Sequence, residues 1–348
     1  MSFHERQAGR QASLGARERN ALGTAVVSER MDDFVVILRA AGERSFDASL
    51  ALVQAQVPAD RVFVVNERPF ERALRTTYEI GIGQGRTWTM TLDADVMFRA
   101  GAVAALIRQA ARMPPSYIQL EGRILDKLTG MYRQAGHRVY RTSLLTEALA
   151  QVPEPGTAIR PEYDTLLKMT ARGHRSRRVA TIAGLHDFEQ FYRDIYRKAF
   201  VHARKHRNLA PAIVERCLRH LESDRDFEVV LKGLIDGLTT SDAVSIDTRR
   251  FEGRLSDAWL TSVGLEEKTP LGPADRIPAV WQAACENVLR ANPAPPFDTV
   301  DEPAPPLTPR QVQWRHYRER VAGDGFVKAT TNSMGSVIKR LGLRLEAL

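Results

Sequence analysis

The chain has 348 residues, 43% of them hydrophobic and 26% charged, the balance of a soluble globular protein with room for one large core or two smaller ones. Its only cysteines are Cys217 and Cys285, which excludes a disulfide framework and a cysteine-rich structural zinc site and makes a reducing, cytosolic setting the expectation. A formal charge of +8, from 50 Lys and Arg against 42 Asp and Glu, favours anionic partners without choosing among them, and no apolar run approaches the ~20 residues that cross a bilayer.

Residues 1–31 are polar, with Arg6, Arg10, Arg17 and Arg19 but no apolar stretch behind them. Glu5, Glu18 and Glu29 argue against a transit peptide, so a flexible tail is expected rather than a targeting signal. Phe34-Val35-Val36-Ile37-Leu38 is a continuous apolar run rich in β-branched residues, which suits a strand buried on both faces. A small-residue loop, 39–44, follows it. The pattern then predicts a helix over 45–56 closed by Pro58, a strand over 61–65 ending in Asn66-Glu67-Arg68-Pro69, and a helix over 70–80 stopped by Gly81 and Gly83. A third strand, 87–92, runs directly into Asp93-Ala94-Asp95. This βαβαβ alternation predicts an α/β fold, a mostly parallel sheet flanked by helices, in which ligands collect at the carboxyl ends of the strands.

Beyond the acidic pair the sequence predicts a helix over 100–113, strands over 117–121 and 138–141, a helix over 162–172 and a short strand over 179–182 leading to Gly184-Leu185-His186-Asp187. A strongly amphipathic helix runs from there to about 206, with Phe191, Ile195, Tyr196 and Ala199 on its apolar face. After residue 208 apolar positions recur at helical spacing over 213–221, 227–238 and 280–289, a mainly helical C-terminal extension. Seven prolines in 292–309 mark a linker, and a basic helix is expected over 333–348 within a C-terminal tail, 310–348. The expected organisation is thus a tail (1–31), a catalytic domain (32–207), a helical region (208–291), a Pro-rich linker and a helical tail.

Two carboxylates two residues apart at the exit of a buried strand can point into one cleft. Mg²⁺ and Mn²⁺ take such oxygen ligands together with substrate phosphates, and a cation so held neutralises a diphosphate leaving group. Asp-x-Asp alone also makes turns and helix caps, so the context decides.

In that context, the stretch from 34 to about 103 resembles the nucleotide-binding half of GT-A-fold glycosyltransferases, family 2 in particular. The resemblance implies a nucleotide-contacting loop at 39–44 with Arg39 and Glu43 corresponding by position, an acidic residue for the base at Glu67 beside Asn66, and a helix-borne basic residue at Arg75. The strand-end motif is matched by Thr91-Leu92-Asp93-Ala94-Asp95-Val96. Asp95 is then expected to bind the metal directly, and Asp93 to reach it through water or to bind the donor ribose. The resemblance also implies a UDP- or GDP-type nucleotide-sugar donor, a Mn²⁺ or Mg²⁺ cofactor, and a glycan or glycolipid acceptor in bacterial surface glycan synthesis. A cytoplasmic enzyme in peripheral contact with the inner face of the membrane would fit that role.

An inverting transferase needs a carboxylate to deprotonate the acceptor. Glu162 and Asp164, in Pro161-Glu162-Tyr163-Asp164, are the candidates, the alternative being that both only favour the positive end of a helix. His186 is the candidate third metal ligand, weighed against a purely structural histidine, and Asp187 a candidate cap for the next helix. The basic run Lys168, Arg172, His174, Arg175, Arg177 and Arg178 reads as a solvated face. A sugar-phosphate nucleotidylyltransferase would need a Gly-rich, Arg-containing first loop, where only Gly42 occurs. A basic nucleic-acid-binding protein would show clustered aromatic and basic residues, which are not found, so no nucleic-acid partner is expected.

Overall fold

The apolar run at 34–38 becomes β1 (Phe34–Ala40), buried along its whole length as a strand between helical layers must be. The computed structural model describes residues 32–242, 244–272 and 276–302; the tail expected over 1–31 and the helix expected over 333–348 lie outside them. The chain divides into a unit ending at Asp301 and a second, Glu302–Leu348, of which Glu302 alone is described.

After β1 come α1 (Phe46–Gln54), β2 (Val62–Asn66), α2 (Phe70–Gln84) and β3 (Trp88–Asp93). β1 lies between β2 and β3 and runs parallel to both, with Arg39 in register with Val65 on one side and Asp93 on the other. β4 (Val96–Phe98) turns back at once, followed by α3 (Ala102–Ala110), β5 (Tyr117–Asp126), β6 (Tyr132–Arg133), β7 (His137–Arg141), α4 (Leu145–Leu149), α5 (Pro161–Ala171) and β8 (Arg175–His186). The strand order is β2-β1-β3-β7-β5-β8-β4, with β6 beside β5. β5 and β8 are parallel, while β7 is antiparallel to both neighbours and β4 to β8, so the sheet is mixed. This is the expected GT-A-like α/β architecture, and α7 (Ala210–His220), α8 (Asp226–Thr239), α9 (Asp257–Ser262) and α10 (Pro278–Ala291) form the helical C-terminal extension. Among the described residues no helix is long and apolar enough to cross a membrane.

Several elements differ from the sequence pattern, three of them for a clear local reason. α2 continues through Gly81 and Gly83 and stops at Gly85, which takes the left-handed conformation of a helix end (φ 63°). Gly81 instead serves close packing, since a Cβ there would lie 2.5 Å from the Thr89 hydroxyl. β8 spans twelve residues rather than the short run at 179–182. Its first half is basic and hides the apolar signal, but Arg177 and Arg178 are paired with Asp301 and Glu121. The helix after His186, α6 (Tyr192–Lys205), begins later than its apolar pattern suggests, because Asp187 and Glu189 adopt left-handed backbone (φ 65° and 57°) that no helix can include.

α6 carries the link to the extension. Its first amides, at Tyr192 and Arg193, donate to the Glu267 carboxylate at 2.7 and 3.0 Å, a cap supplied from 74 or more residues away in the chain. Its apolar face packs on α8, where Gly233 and Gly237 let the two backbones approach closely. A Cβ at either would lie 2.5 Å from a carbonyl oxygen of α6, that of Tyr196 or Phe200. Replacing Gly233 with Val is therefore expected to lower stability by about 2 kcal/mol in denaturant unfolding. An unchanged midpoint would contradict this close helix contact.

Candidate metal centre and nucleotide cavity

β3 ends at Asp93, and the next two residues are held by backbone and hydroxyl groups rather than by chance turn geometry. The Ala94 amide donates to the Arg39 carbonyl at 2.9 Å, and the hydroxyls of Ser45 and Ser49 donate to the Ala94 carbonyl at 2.8 and 2.9 Å. β4 then pairs with the end of β8, placing Val96 opposite His186, and the Asp187 amide donates to the Asp95 carbonyl at 3.1 Å. Gly136 makes room for the histidine: its φ is 68°, and a Cβ there would meet the Val96 side chain and lie 3.3 Å from the His186 ring.

Asp95, His186 and Asp187 converge, with one ligand atom of each within 4.8 Å of the others. All three side chains are shielded from solvent. Asp95 Oδ1 is buried without a hydrogen bond, and its cationic neighbour there is His186 Nε2 at 3.5 Å. The other ring nitrogen, Nδ1, is 3.0 Å from Asp126 Oδ2, and Arg133 holds the same carboxylate at 2.5 Å. A carboxylate behind the imidazole fixes ring orientation and raises its basicity, as in metal-binding histidines generally. These donors fit a divalent cation: two carboxylates and one imidazole, with one oxygen of each carboxylate, Asp95 Oδ1 and Asp187 Oδ2, buried without a hydrogen bond.

Lys198, from α6, already brings a positive charge there. Its ammonium donates to Asp95 Oδ2 at 2.6 Å and to Asp187 Oδ1. Burial alone would lower the pKa of Lys198, but Asp187 and Asp95 outweigh it and raise the value. Burial likewise opposes charge on His186, yet Asp187, Asp95 and Asp126 lift its pKa to about 10. A cation ligated by His186 therefore has to displace a proton as well as the Lys198 ammonium.

A second ion network lies beside the first. Arg39, at the end of β1, donates through Nε to Asp93 at 2.8 Å and through Nη1 to Glu162 at 2.9 Å. Glu162 also accepts from the Tyr140 hydroxyl at 2.8 Å and from Arg138. Burial pushes its pKa up, but Arg138 and Arg39 win and hold it at about 2. With both oxygens engaged, Glu162 is a poor proton acceptor and a strong charge partner. Asp164 faces away, paired with Lys168 at 2.8 Å, and does not line the cavity.

The carboxyl ends of β1, β2 and β3 open on a cavity of ≈ 160 Å³ lined by Glu43, Glu67, Arg68, Asp93, Asp95 and Lys198, with Ile246–Thr248 of the extension forming another wall. A wider cleft of ≈ 710 Å³ adjoins it, sharing Ala41, Arg68, Arg197 and Thr248. Burial, with the Asp95 charge beside it, lifts the Glu43 carboxyl to about 7. Of the sequence candidates, Arg39, Glu43, Glu67, Asp93 and Asp95 therefore meet at this cavity. His186 stands behind it. Arg75 is elsewhere, bonded to the Val152 carbonyl at 2.8 Å and to Glu154. Asp187, Lys198 and Asp126 also belong to the cluster around His186, and in the sequence the His186-Asp187 pair is the one signal that points to them.

No protein-family model matches the sequence, and no curated protein matches it. Among solved structures, a 4-diphosphocytidyl-2C-methyl-D-erythritol synthase from Anaerococcus prevotii is similar at TM-score 0.33 and 10% identity, over 46% of this chain and 91% of that one. A glycosyltransferase involved in glycosylation of the major capsid of PBCV-1 is similar at 0.29 and 14%, over 44% and 82%. A CMP:2-keto-3-deoxy-manno-octonic acid synthetase complexed with CTP is similar at 0.28 and 15%, over 43% and 90%. At these scores the likenesses carry no argument about activity.

Lys198→Met is expected to tighten Mn²⁺ binding about tenfold in calorimetric titration, because the competing ammonium is gone; unchanged or weaker binding would remove Lys198 from the metal centre. Glu162→Gln leaves Arg39 and Arg138 short of a buried counter-charge and is expected to cost about 3–5 kcal/mol. Because the folded-state pKa of Glu162 lies at about 2, below its ordinary 4.5, its stabilisation is complete above pH 4.5 and is lost as pH falls through 2. Acid unfolding of the wild type should show this loss, and Glu162→Gln should show less of it.

Proposed function

We propose that the chain is a metal-dependent glycosyltransferase that moves a sugar from a UDP- or GDP-type donor to an acceptor hydroxyl. One observation carries this reading: Asp93-Ala94-Asp95 leaves β3 into the cavity formed by the ends of β1 and β2, and its second aspartate meets His186 and Asp187 on the side away from that cavity. Mn²⁺ or Mg²⁺ held by these three residues would supply positive charge to a diphosphate leaving group. Glu67 and Glu43 line the part of the cavity where a nucleoside would lie, and Asp93 is oriented by Arg39. Glu162 enters as the charge partner of Arg39 and not as the base. A glycan or glycolipid acceptor, and work at the cytoplasmic face of a membrane in surface glycan synthesis, complete the reading.

The test is a panel of nucleoside diphosphates and nucleotide-sugars, with and without Mn²⁺, read by thermal shift and by product release. Metal-dependent stabilisation by one nucleoside diphosphate is expected. Asp95→Asn should lower sugar transfer or donor hydrolysis by on the order of a hundredfold or more. Undiminished turnover in that variant would sink the role of Asp95. Release of pyrophosphate from a nucleoside triphosphate and a sugar phosphate would instead assign nucleotidyl transfer.

A further inference from the structure

Two cavities meet beside the carboxyl ends of β1 and β2: the small one that Asp93 and Asp95 line, and the wider cleft at the start of α6. Ala41, Arg68, Arg197 and Thr248 line both and so form the neck between them. The three polar residues come from separate parts of the chain. Arg68 lies in the loop after β2, Arg197 in the second turn of α6, and Thr248 at the head of a helical turn of the extension, Thr248–Phe251. Gly42 gives Arg68 its place: it has a left-handed φ of 94°, and a Cβ there would lie 3.1 Å from the Arg68 guanidinium.

Each of the three has hydrogen-bonding capacity to spare. Arg197 Nε and Thr248 Oγ1 are both buried without a hydrogen-bond partner. Arg197 reaches Asp194 only through Nη2, at 3.5 Å, which is long for a hydrogen bond. Among the described residues Arg68 meets no carboxylate; it donates to the Ala41 carbonyl. The other cations on the small cavity are committed, Arg39 to Asp93 and Glu162, and Lys198 to Asp95 and Asp187. In the wider cleft the Glu267 carboxylate is taken up by the first amides of α6. Two buried groups left unsatisfied at one neck, beside a guanidinium without a counter-charge, call for a ligand rich in acceptors.

We infer that Arg68, Arg197 and Thr248 form a binding site for a phosphate group at the neck between the two cavities. Donors arriving from three directions match the non-planar oxygens of a phosphate, whereas a planar carboxylate is served by one arginine fork. Glu43, Glu67, Asp93 and Asp95 repel an anion from the small cavity unless a cation accompanies it, so the neck is where its charge is met. Two sources share this chemistry: the diphosphate of a nucleotide whose nucleoside lies in the small cavity, and a phosphate on a molecule held in the wider cleft. The first source rests on the glycosyltransferase reading; the phosphate site does not.

The test uses the full chain and inorganic pyrophosphate as probe, titrated calorimetrically in EDTA so that no metal carries the anion. Wild type should bind it, and Arg68→Gln/Arg197→Gln should bind about tenfold or more weakly. Thr248→Val, which keeps the side-chain shape, should bind about fivefold more weakly. Arg68→Gln alone alters an exposed side chain, so its loss of affinity, about threefold or more, is read on an intact fold. Absent binding to wild type, or equal affinity in wild type and all three variants, would overturn the site. UDP and GDP, compared with uridine and guanosine, separate the sources. Displacement of pyrophosphate by a nucleoside diphosphate but not by its nucleoside upholds the site with the nucleotide as ligand. Variant-sensitive pyrophosphate binding that glucose 1-phosphate displaces and no nucleotide does upholds it with the second substrate as ligand. If in that case no nucleotide binds even with Mn²⁺, the glycosyltransferase reading falls and the site stands. Nucleotide binding with Mn²⁺ beside equal pyrophosphate affinity in all the proteins overturns the site and leaves that reading in place.

Discussion

Three carboxylates, those of Asp95, Asp126 and Asp187, gather around one imidazole in a buried part of the molecule, and like charges so placed cannot all stay ionised without nearby cations. Arg133 and Lys198 supply them, and the same carboxylates raise the pKa of His186. Much of the surrounding structure follows from this requirement. β4 must turn back immediately after Asp95 to meet the end of β8, Gly136 must yield space to the His186 ring, and Asp187 must accept a left-handed backbone to face Asp95. A strained residue at such a point is a usual mark of a functional site, and here it is fixed by the Asp187 amide bonded to the Asp95 carbonyl.

The helical extension belongs to the same arrangement. Lys198 sits on α6, and α6 is held by α8 through Gly233 and Gly237 and capped by Glu267. Lys127, just past β5, is bonded to Asp224 and Asp226 at the start of α8, and Lys268 joins Asp226 at 2.6 Å. Through these contacts a region with no strand pattern of its own sets the position of the lysine that meets Asp95 and Asp187. The extension also contributes Ile246–Thr248 to the cavity at the strand ends, so it builds that cavity as well as bracing it.

The first half of the sheet was legible because its signals are local. Three apolar strands alternating with two helices, the third strand ending in two aspartates, lie within about sixty consecutive residues, and strand ends in a parallel unit share one edge of the sheet. His186 was legible for a similar reason, standing at the end of a strand. Asp126 and Lys198 were not, because their role depends on pairings that no local pattern encodes. Asp126 sits at the end of a strand whose visible apolar stretch stops at about 121, and Lys198 is one of several basic residues on an amphipathic helix. Arg75 misled for the converse reason: helical spacing gave its position in the chain but not that its guanidinium turns to the carbonyl of Val152.

Glu162 and Asp95 show how burial alone fails to separate structural from chemical carboxylates. Both are enclosed and both contact a cation. Glu162 has each oxygen occupied by Arg39, Arg138 or Tyr140, so any proton or metal arriving there must break existing bonds. Asp95 keeps one buried oxygen free of hydrogen bonds, and its other oxygen holds a lysine ammonium on a flexible stem, which can move without disturbing the sheet. An unsatisfied buried acceptor is costly to maintain, and a further cation arriving at Asp95 would meet an oxygen that breaks no hydrogen bond to receive it. That difference leaves Asp95 the carboxylate able to take a further cation and makes Glu162 part of the frame that holds Asp93 and Arg39 in position.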